Sequence, residues 1–471
     1  MELKRITIIF IGIVVITSHS LAQQRPRQVT QKLAPSVKAT LVGHKGQVLA
    51  LAFSPNGEFL ATTSHEENVT RLWNTASGQL IATLAGTLPV FSPDGHELMT
   101  SDKKTVKLWD TVTGKPKCDL IGHEGLITSA SFSPDGSKVA TGSEDGTVRL
   151  WNAATGQTSA TLPVLRVKKI PRYRIISRML YVPEDVSVKF SPDQQTVLTN
   201  TYWKESPAKL WDVMSGRLRA ELGGHTRIGV GYQTETVGVK QTDFSPDGKF
   251  VATQSFDTVR LWDVATGRLL KDLIIPFPVA TFSPDSKWLG LIGRGKDVGF
   301  VNLETLDVQT VSGSVNTEFL NQLTFSSDSR TCVIASGYKH YRATLIDVPT
   351  RRVRVEIPLV AKWGFDFVSD YQKDADLVSF HPSSKFLMGT NHGSIRMWDV
   401  LTGALLWQTT EARDPATFSP DGKLLAAVGK DKKTVLLWTL RVPAYETRVN
   451  NGSPLTRLGI LTATGAHTNG R

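Results

Sequence analysis

Short runs of alternating hydrophobic and polar residues, separated by turn dipeptides, recur along most of this chain. The clearest copy lies between Gly122 and Gln157, and its β-prone runs are Leu126–Phe132, Lys138–Ser143 and Thr147–Trp151. A period of two residues is typical of half-buried strands. Asp-Gly pairs separate the runs, and glycine accepts the positive φ that a tight hairpin requires. With the further run Thr158–Leu162, the pattern predicts four antiparallel strands.

The unit is repeated along the chain. A Phe-Ser-Pro-Asp-Gly anchor, or a relative of it, begins nine times, at Phe53, Phe91, Phe132, Phe190, Phe244, Phe282, Phe325, Phe380 and Phe418. The anchors are about 46 residues apart on average, close to the spacing of propeller blades. Four strands in such a unit cannot bury both faces alone, so each unit needs neighbours. The repeats therefore indicate one all-β domain rather than several ordinary ones.

The unit resembles a WD repeat, because it carries Gly122-His123 and ends its third strand with Trp151-Asn152. The resemblance implies a β-propeller with nine four-stranded blades, and seven or eight remain as alternatives. Units six and seven depart from the pattern, with Val301 and Ile346 at the tryptophan position. In the family a buried hydrogen-bonded set ties the blade together. Its matching residues here, expected to be structural rather than catalytic, are His123, Ser143, Asp145 and Trp151.

The two ends of the repeat region predict how the ring closes. Val37–Val42 reads as an outer strand with no inner strands before it, while the last unit ends near Leu440 without an outer strand. Pairing the two would complete the final blade and remove an exposed edge. The predicted propeller spans 37–440, followed by a flexible tail over 441–471.

The first 22 residues have the pattern of a secretory signal peptide. Lys4-Arg5 precede the apolar run Ile6–Thr17, and Ser20-Leu21-Ala22 offers small residues at the cleavage site. The run is shorter than the roughly 20 residues that span a bilayer, although an uncleaved anchor is the alternative. No later apolar run is long enough to cross a membrane. The sequence therefore predicts a bacterial protein that is exported to the periplasm or secreted, with a linker over 23–36.

Departures from the repeat concentrate on one face. The insertions Pro163–Asp185, Gly224–Gly238 and Pro358–Lys373 each follow the outer strand of one unit, and Thr201–Pro207 enlarges a turn on the same face. Insertions on one face of a repeat protein usually mark its binding face. They are rich in arginine, tyrosine and tryptophan, which are enriched at interface hot spots. The candidate binding residues are Arg166, Lys168, Lys169, Arg172, Tyr173, Arg174, Arg178, Tyr202, Trp203, Tyr232, Trp363 and Phe365.

Charge and motif content narrow the possible chemistry. The net charge is +11, and part of it lies in the first insertion. Export makes nucleic acid an unexpected ligand, whereas an acidic protein patch or an anionic envelope polymer fits that compartment. The sequence contains no phosphate loop, paired-histidine metal motif or Cys-x-x-Cys pair, so neither a cofactor nor a metal site is predicted. The two cysteines, Cys118 and Cys332, are expected to be isolated thiols.

These observations predict a non-catalytic scaffold that binds unidentified protein partners through the loops of one face. Two alternatives stay open. One is a hydrolase or lyase acting on an anionic polysaccharide in the central funnel, for which two carboxylates or a His–carboxylate pair within about 5–10 Å would be evidence. The other is a lectin-like binder of such a polysaccharide, whose binding would weaken as salt rises.

Overall fold

The repeated runs form β-strands throughout the described part of the computed structural model. The structure describes residues 35–165, 186–201, 206–228, 234–275, 279–293, 298–312, 315, 320–336, 342–359, 377–391 and 393–441. They contain 38 strands, arranged as nine four-stranded sheets and one two-stranded sheet. In this part of the chain there is no helix with the length and apolar character needed to cross a membrane. The predicted signal peptide and nearly all of the predicted linker and tail lie outside the described residues.

The first three blades follow strand β1, which spans Ser36–Leu41. Blade 1 contains β2 to β5, which span Ala50–Phe53, Phe59–Ser64, Val69–Asn74 and Leu80–Ala85. Blade 2 contains β6 to β9, which span Thr87–Phe91, Glu97–Asp102, Thr105–Asp110 and Pro116–Leu120. Blade 3 contains β10 to β13, which span Ile127–Phe132, Lys138–Ser143, Thr147–Asn152 and Thr158–Pro163.

Blades 4 and 5 are separated by an extra hairpin. Blade 4 contains β14 to β17, which span Val186–Phe190, Thr196–Thr201, Ala208–Asp212 and Leu218–Leu222. The hairpin strands β18 and β19 span Thr226–Ile228 and Thr234–Thr236. Blade 5 contains β20 to β23, which span Gln241–Phe244, Phe250–Gln254, Thr258–Asp263 and Leu269–Ile274. Blade 6 contains β24 to β27, which span Val279–Phe282, Trp288–Ile292, Gly299–Asn302 and Val308–Thr310.

The last three blades lead back to the start of the chain. Blade 7 contains β28 to β31, which span Leu320–Phe325, Thr331–Ser336, Arg342–Asp347 and Arg352–Pro358. Blade 8 contains β32 to β35, which span Leu377–Phe380, Phe386–Asn391, Ser394–Asp399 and Leu405–Thr409. Blade 9 contains β36 to β38, which span Ala412–Phe418, Leu424–Gly429 and Val435–Thr439, together with β1.

The anchor residues form the first turn of each blade. In blade 3, Ser133 Oγ donates to Asp135 Oδ1 at 2.6 Å and accepts from the backbone N–H of Lys138 at 2.9 Å. Gly136 completes this turn with a φ of 74°, a left-handed conformation that glycine adopts without steric cost. The anchor phenylalanine is the last residue of the first strand in all nine blades. Side-chain chemistry in the turn therefore fixes where each blade begins.

The blades close into a ring of nine. The first strand of each blade contacts strands of the preceding blade, and β2 of blade 1 contacts β36 of blade 9. Strand β1 pairs antiparallel with β38, with Ser36 opposite Thr439 and Leu41 opposite Val435. The predicted nine-bladed, all-β propeller closed by its N-terminal strand is therefore confirmed.

The hydrophobic core lies between neighbouring blades. Val148 and Leu162 of blade 3, for example, belong to one buried cluster with Val188 and Trp211 of blade 4. Each blade thus buries the face that it could not bury alone. Blades 6 and 7 form without the third-strand tryptophan, because the fully buried Val301 and Ile346 take part in the core in its place.

Candidate interaction face

A buried hydrogen-bonded set locks blade 3 beneath the face that carries the insertions. His123 Nε2 lies 2.8 Å from Thr141 Oγ1, and Trp151 Nε1 donates to the same hydroxyl at 2.8 Å. His123 Nδ1 lies 2.7 Å from Asp145 Oδ2. Ser143, named in the sequence-based set, instead accepts from the backbone N–H of Asp145 at 3.2 Å. Thr141 was missed, although it lies two residues from Val139, the partner of Trp151 in the strand register.

The protonation of this set is fixed by its surroundings. Burial lowers the pKa of His123, although hydrogen bonding to Asp145 opposes the shift. Burial alone would raise the pKa of Asp145, but hydrogen bonds from Thr147, His123 and the backbone of Glu124 lower it to about 2. A neutral imidazole can then donate through Nδ1 to the carboxylate and accept the Thr141 hydroxyl proton at Nε2. Every polar group is used within the blade, which is the behaviour of a structural lock.

A threonine occupies the position equivalent to Thr141 in the first five blades and in none of the last four. It accepts from the third-strand tryptophan in each of them, as Thr62, Thr100, Thr141, Thr199 and Thr253. The corresponding residues in blades 6 to 9 are Leu291, Ile334, Gly389 and Ala427. The threonine–tryptophan part of the lock is therefore restricted to blades 1 to 5, and a histidine joins it in blades 1, 3 and 5. This difference agrees with the weaker repeat pattern in the later units.

Three of the described connections between blades are clamped at their starts by a cation. Lys209 Nζ donates to the carbonyl of Val164 at 2.7 Å. Arg260 Nη1 donates to the carbonyl of Gly223 at 2.6 Å, and Arg396 Nη1 donates to that of Leu359 at 2.5 Å. In each case the cation comes from the third strand of the next blade and holds the start of a predicted insertion. The rigid ring therefore fixes the points from which the insertions leave.

The first insertion is also anchored where it returns. The backbone N–H of Val186 donates to Thr128 Oγ1 at 3.0 Å, and Ser129 Oγ donates to the carbonyl of Val186 at 2.5 Å. At the other end, the carbonyl of Gly146 accepts from the backbone N–H groups of both Val164 and Leu165. Gly146 follows Asp145, so the histidine lock and the root of the basic insertion share one turn.

All twelve predicted binding residues lie outside the described residues. They are Arg166, Lys168, Lys169, Arg172, Tyr173, Arg174, Arg178, Tyr202, Trp203, Tyr232, Trp363 and Phe365. The structure describes the residues that flank the segments to which they belong. Their assignment to the binding face stays a prediction from the sequence.

A cavity lies at this base between blades 4 and 5. Its volume is about 350 Å³, and its walls are Ser206, Pro207, Glu221, Gly223, Gly224, Val237, Val239 and Trp262. The hairpin β18–β19 lies in the chain between the lining residues Gly224 and Val237, and the N–H of Val237 donates to the carbonyl of His225 at 2.9 Å. No sequence pattern singled out these residues as one site. The adjacent glycines Gly223 and Gly224 are the signal that could have indicated it.

The inner strands contribute few titratable groups to the centre of the ring. On the described inner strands, the carboxylates are Asp243 and Asp414. Asp243 lies 2.9 Å from Lys189 Nζ, and Asp414 lies 3.9 Å from Arg413 Nε. The described residues contain no group of three or more His, Cys, Asp or Glu side chains arranged to hold a metal ion. Cys118 and Cys332 are free thiols, and burial raises the pKa of both.

The fold and the repeated lock define a nine-bladed β-propeller. Residues 35–74, 75–110 and 114–152 match the family described as WD domain, G-beta repeat. These matches lie in β1 and the first three blades, where the chain is similar to that family, and the fold of the described residues is a β-propeller. The crystal structure of the computationally designed Ika8 protein shares the fold, with a TM-score of 0.50 and 20% sequence identity over 85% of this chain and 98% of that chain.

Curated relatives match about half of the chain. Protein tipD of Dictyostelium discoideum is 25% identical over 52% of this chain, and the match covers 44% of its own length. A guanine nucleotide-binding protein subunit beta of Oryza sativa subsp. japonica is 27% identical over 48% of this chain and 59% of its own length. The chain therefore spans about half the length of these relatives, and both are eukaryotic proteins.

Proposed function

We propose that this chain is an exported, non-catalytic scaffold that binds protein partners through the insertions on one face of its propeller. One observation carries the proposal. The insertions leave a closed ring at fixed points, where Lys209, Arg260 and Arg396 each clamp the preceding connection. A rigid base reduces the entropy lost when a loop is ordered by a partner.

The chemistry of the insertions suggests what the partner offers. The first insertion contains six arginine or lysine residues between Arg166 and Arg178, with Tyr173 among them. Such a segment complements an acidic protein patch, and aromatic and arginine side chains supply large contacts with directional hydrogen bonds. A segment of this kind also attracts anionic polymers, so a salt series belongs in any binding experiment.

Export is part of the proposal and rests on the sequence. Lys4-Arg5, the apolar run Ile6–Thr17 and Ser20-Leu21-Ala22 have the order of a signal peptide. Expression with the native N-terminus should give an exported protein whose first residue, by mass spectrometry, is Gln23. Recovery of an intact Met1 from the soluble cell interior would argue against this part of the proposal.

The catalytic alternative receives no support from the described residues. On the described inner strands, the carboxylates of Asp243 and Asp414 each have a cation nearby, Lys189 at 2.9 Å and Arg413 at 3.9 Å. In blade 3, His123 is buried and hydrogen-bonded to Thr141, and its half-buried partner Asp145 also accepts from Thr147 and the backbone of Glu124. No specific observation favours an enzyme over a scaffold.

Affinity capture from the native envelope fraction tests the proposed face. The bait is the chain from Gln23 onward, and the test variant replaces the cations of the first insertion by glutamine: Arg166, Lys168, Lys169, Arg172, Arg174 and Arg178. The matched control removes six exposed cations from turns of the opposite face: Lys115, Lys249, Arg268, Lys287, Lys385 and Lys423. Both variants change the net charge equally, so a difference between them reports position rather than charge.

The proposal predicts a defined set of proteins that the intact chain and the control variant retain. The insertion variant should lose that set. Equal capture by all three baits would show that the first insertion is not the contact. Retention that disappears from both variants equally, or at modest salt, would indicate a nonspecific attraction to charge.

A further inference from the structure

The cavity between blades 4 and 5 is lined in part by a connection that departs from the repeat. In the connections before blades 1 and 3, the residue ahead of the Gly-His pair is Val42 or Ile121, but before blade 5 it is Gly223. A Cβ on Gly223 would lie 2.9 Å from Pro207 Cβ. Gly224 has a φ of 79°, which disfavours any residue with a side chain. Gly224 is the glycine of the Gly-His pair, so Gly223 is the position at which this connection differs from the other two.

The walls of this cavity combine polar and apolar groups. The buried residues Val237, Val239 and Trp262 line it, and Pro207 lies beside Gly223. The volume of about 350 Å³ lies at the lower end of the range, roughly 300–1,000 Å³, of small-ligand pockets. The space therefore suits one long side chain rather than a folded element.

The charged wall is Glu221, and its carboxylate is less neutralised than those at the same repeat position. The pairs Lys107–Asp119, Lys209–Glu221 and Arg260–Asp272 are cross-strand neighbours in blades 2, 4 and 5. Their nitrogen–oxygen distances are 2.9, 3.8 and 2.8 Å. Because Lys209 Nζ is bound to the carbonyl of Val164, it does not close on the carboxylate. Glu221 is also the most exposed of the three acids, at 53%.

We propose that this cavity binds an arginine side chain from a protein partner. The aliphatic part of the arginine packs against Pro207, Val237 and Val239, while its guanidinium bonds to the carboxylate of Glu221 at the rim. Long cationic side chains bury their methylenes in this way while the charged end stays near solvent. A planar guanidinium can also bind a carboxylate through two parallel hydrogen bonds. The occupant is identified by charge complementarity, since Glu221 is the charged group of the wall.

The inference rests on the proposed function in one respect, namely that the arginine belongs to a partner protein. The site itself is separate from the basic first insertion and has the opposite charge. A partner with an acidic patch for the insertion and an arginine for the cavity would contact both. The test therefore measures binding to the cavity alone, with a short cationic peptide whose charge complements Glu221 and not the basic insertion.

The probe is the peptide acetyl-Gly-Gly-Arg-Gly-Gly-amide, measured against the full chain by saturation-transfer NMR. The matched probe carries citrulline, which has the shape of arginine without its charge. The test variant is Glu221→Gln. The control is Asp119→Asn, which removes the equivalent carboxylate in blade 2, outside the cavity. Thermal unfolding of each variant establishes that the fold is retained.

The expected result is saturation transfer to the arginine methylenes with the intact chain and with Asp119→Asn. Binding should weaken roughly tenfold for Glu221→Gln and for the citrulline peptide, as expected when a charged hydrogen-bond partner is lost. Equal transfer to both peptides, or no change with Glu221→Gln, would overturn the proposal. Failure here would leave the capture result for the first insertion unaffected. Conversely, failure of the capture experiment would leave a positive peptide result intact.

Discussion

Replacement of Thr141 by valine tests the blade lock most sharply. Valine keeps the shape of threonine but removes the hydroxyl that accepts from Trp151 Nε1 and faces His123 Nε2, each at 2.8 Å. Thr141 is fully buried, so water cannot replace the lost group. Leaving a buried polar group without a partner costs about 1–3 kcal/mol, so two such groups should cost roughly 2–4 kcal/mol.

The matched control is Thr199→Val in blade 4. Thr199 is equally buried and accepts from Trp211 Nε1 at 2.9 Å, but blade 4 has no lock histidine. Only one group loses its partner, so the expected cost is about 1–2 kcal/mol. The difference between the two variants isolates the contribution of His123.

Hydrogen exchange measured by mass spectrometry is the suitable assay, because it reports opening blade by blade. Backbone amides of β11 and β12 should exchange on the order of 30-fold faster or more in Thr141→Val, since about 1.4 kcal/mol corresponds to a factor of ten. Exchange in blade 7 should stay unchanged. If Thr141→Val accelerates exchange in its own blade no more than Thr199→Val does in blade 4, the His123 contact does not stabilise the fold.

Three further predictions concern other parts of the ring. Burial lowers the pKa of His225 to about 4 from its ordinary value of 6.5, so between these pH values the unfolded chain binds a proton that the folded chain does not. The free energy of unfolding should therefore fall as the pH drops from 6.5 to 4. Urea titrations over this pH range should show a smaller fall for His225→Gln. A Cβ on Gly422 would lie 2.4 Å from His381 Cε1, so Gly422→Ala should destabilise the protein. In a double-mutant cycle with His381→Ser, the free-energy cost of Gly422→Ala should shrink towards the roughly 1 kcal/mol of left-handed backbone strain. Ser36 and Thr439 face each other with their hydroxyl oxygens 2.7 Å apart, so Ser36→Cys with Thr439→Cys should form a disulfide detectable by non-reducing peptide mass spectrometry, and neither single variant should.

The blade count could be predicted from the sequence because the information is local. In seven of the nine anchors the serine donates to the aspartate two residues later, as Ser133 does to Asp135. Ser54–Asn56 and His381–Ser383 form the equivalent bond in blades 1 and 8, so each turn needs only its own residues. The nine anchors therefore mark nine blades even where the third-strand tryptophan is replaced by Val301 or Ile346. Ring closure was predictable for a related reason, since Ser36–Leu41 had no other partner in the repeat pattern.

The candidate site was less predictable because it depends on contacts between repeats. Thr141 belongs to the lock through its position relative to Val139 and Trp151, which only the strand register reveals. The cavity combines residues from two blades and from the connection between them, including the pair Gly223-Gly224. The clamping by Lys209, Arg260 and Arg396 likewise links each blade to the preceding connection. A repeat pattern describes each unit but not the contacts between units.

Site-specific photo-crosslinking in the native envelope tests the central claim, that protein partners bind the face of the insertions. A photoreactive residue replaces Val42, Ile121 or Ile274 on that face, where their exposures are 67%, 71% and 76%. The controls on the opposite face are Val112, Met214 and Leu401, with exposures of 63%, 86% and 68%. The account predicts that the first set crosslinks to a defined protein and that the second set does not. The same crosslinked protein from the second set alone would contradict it.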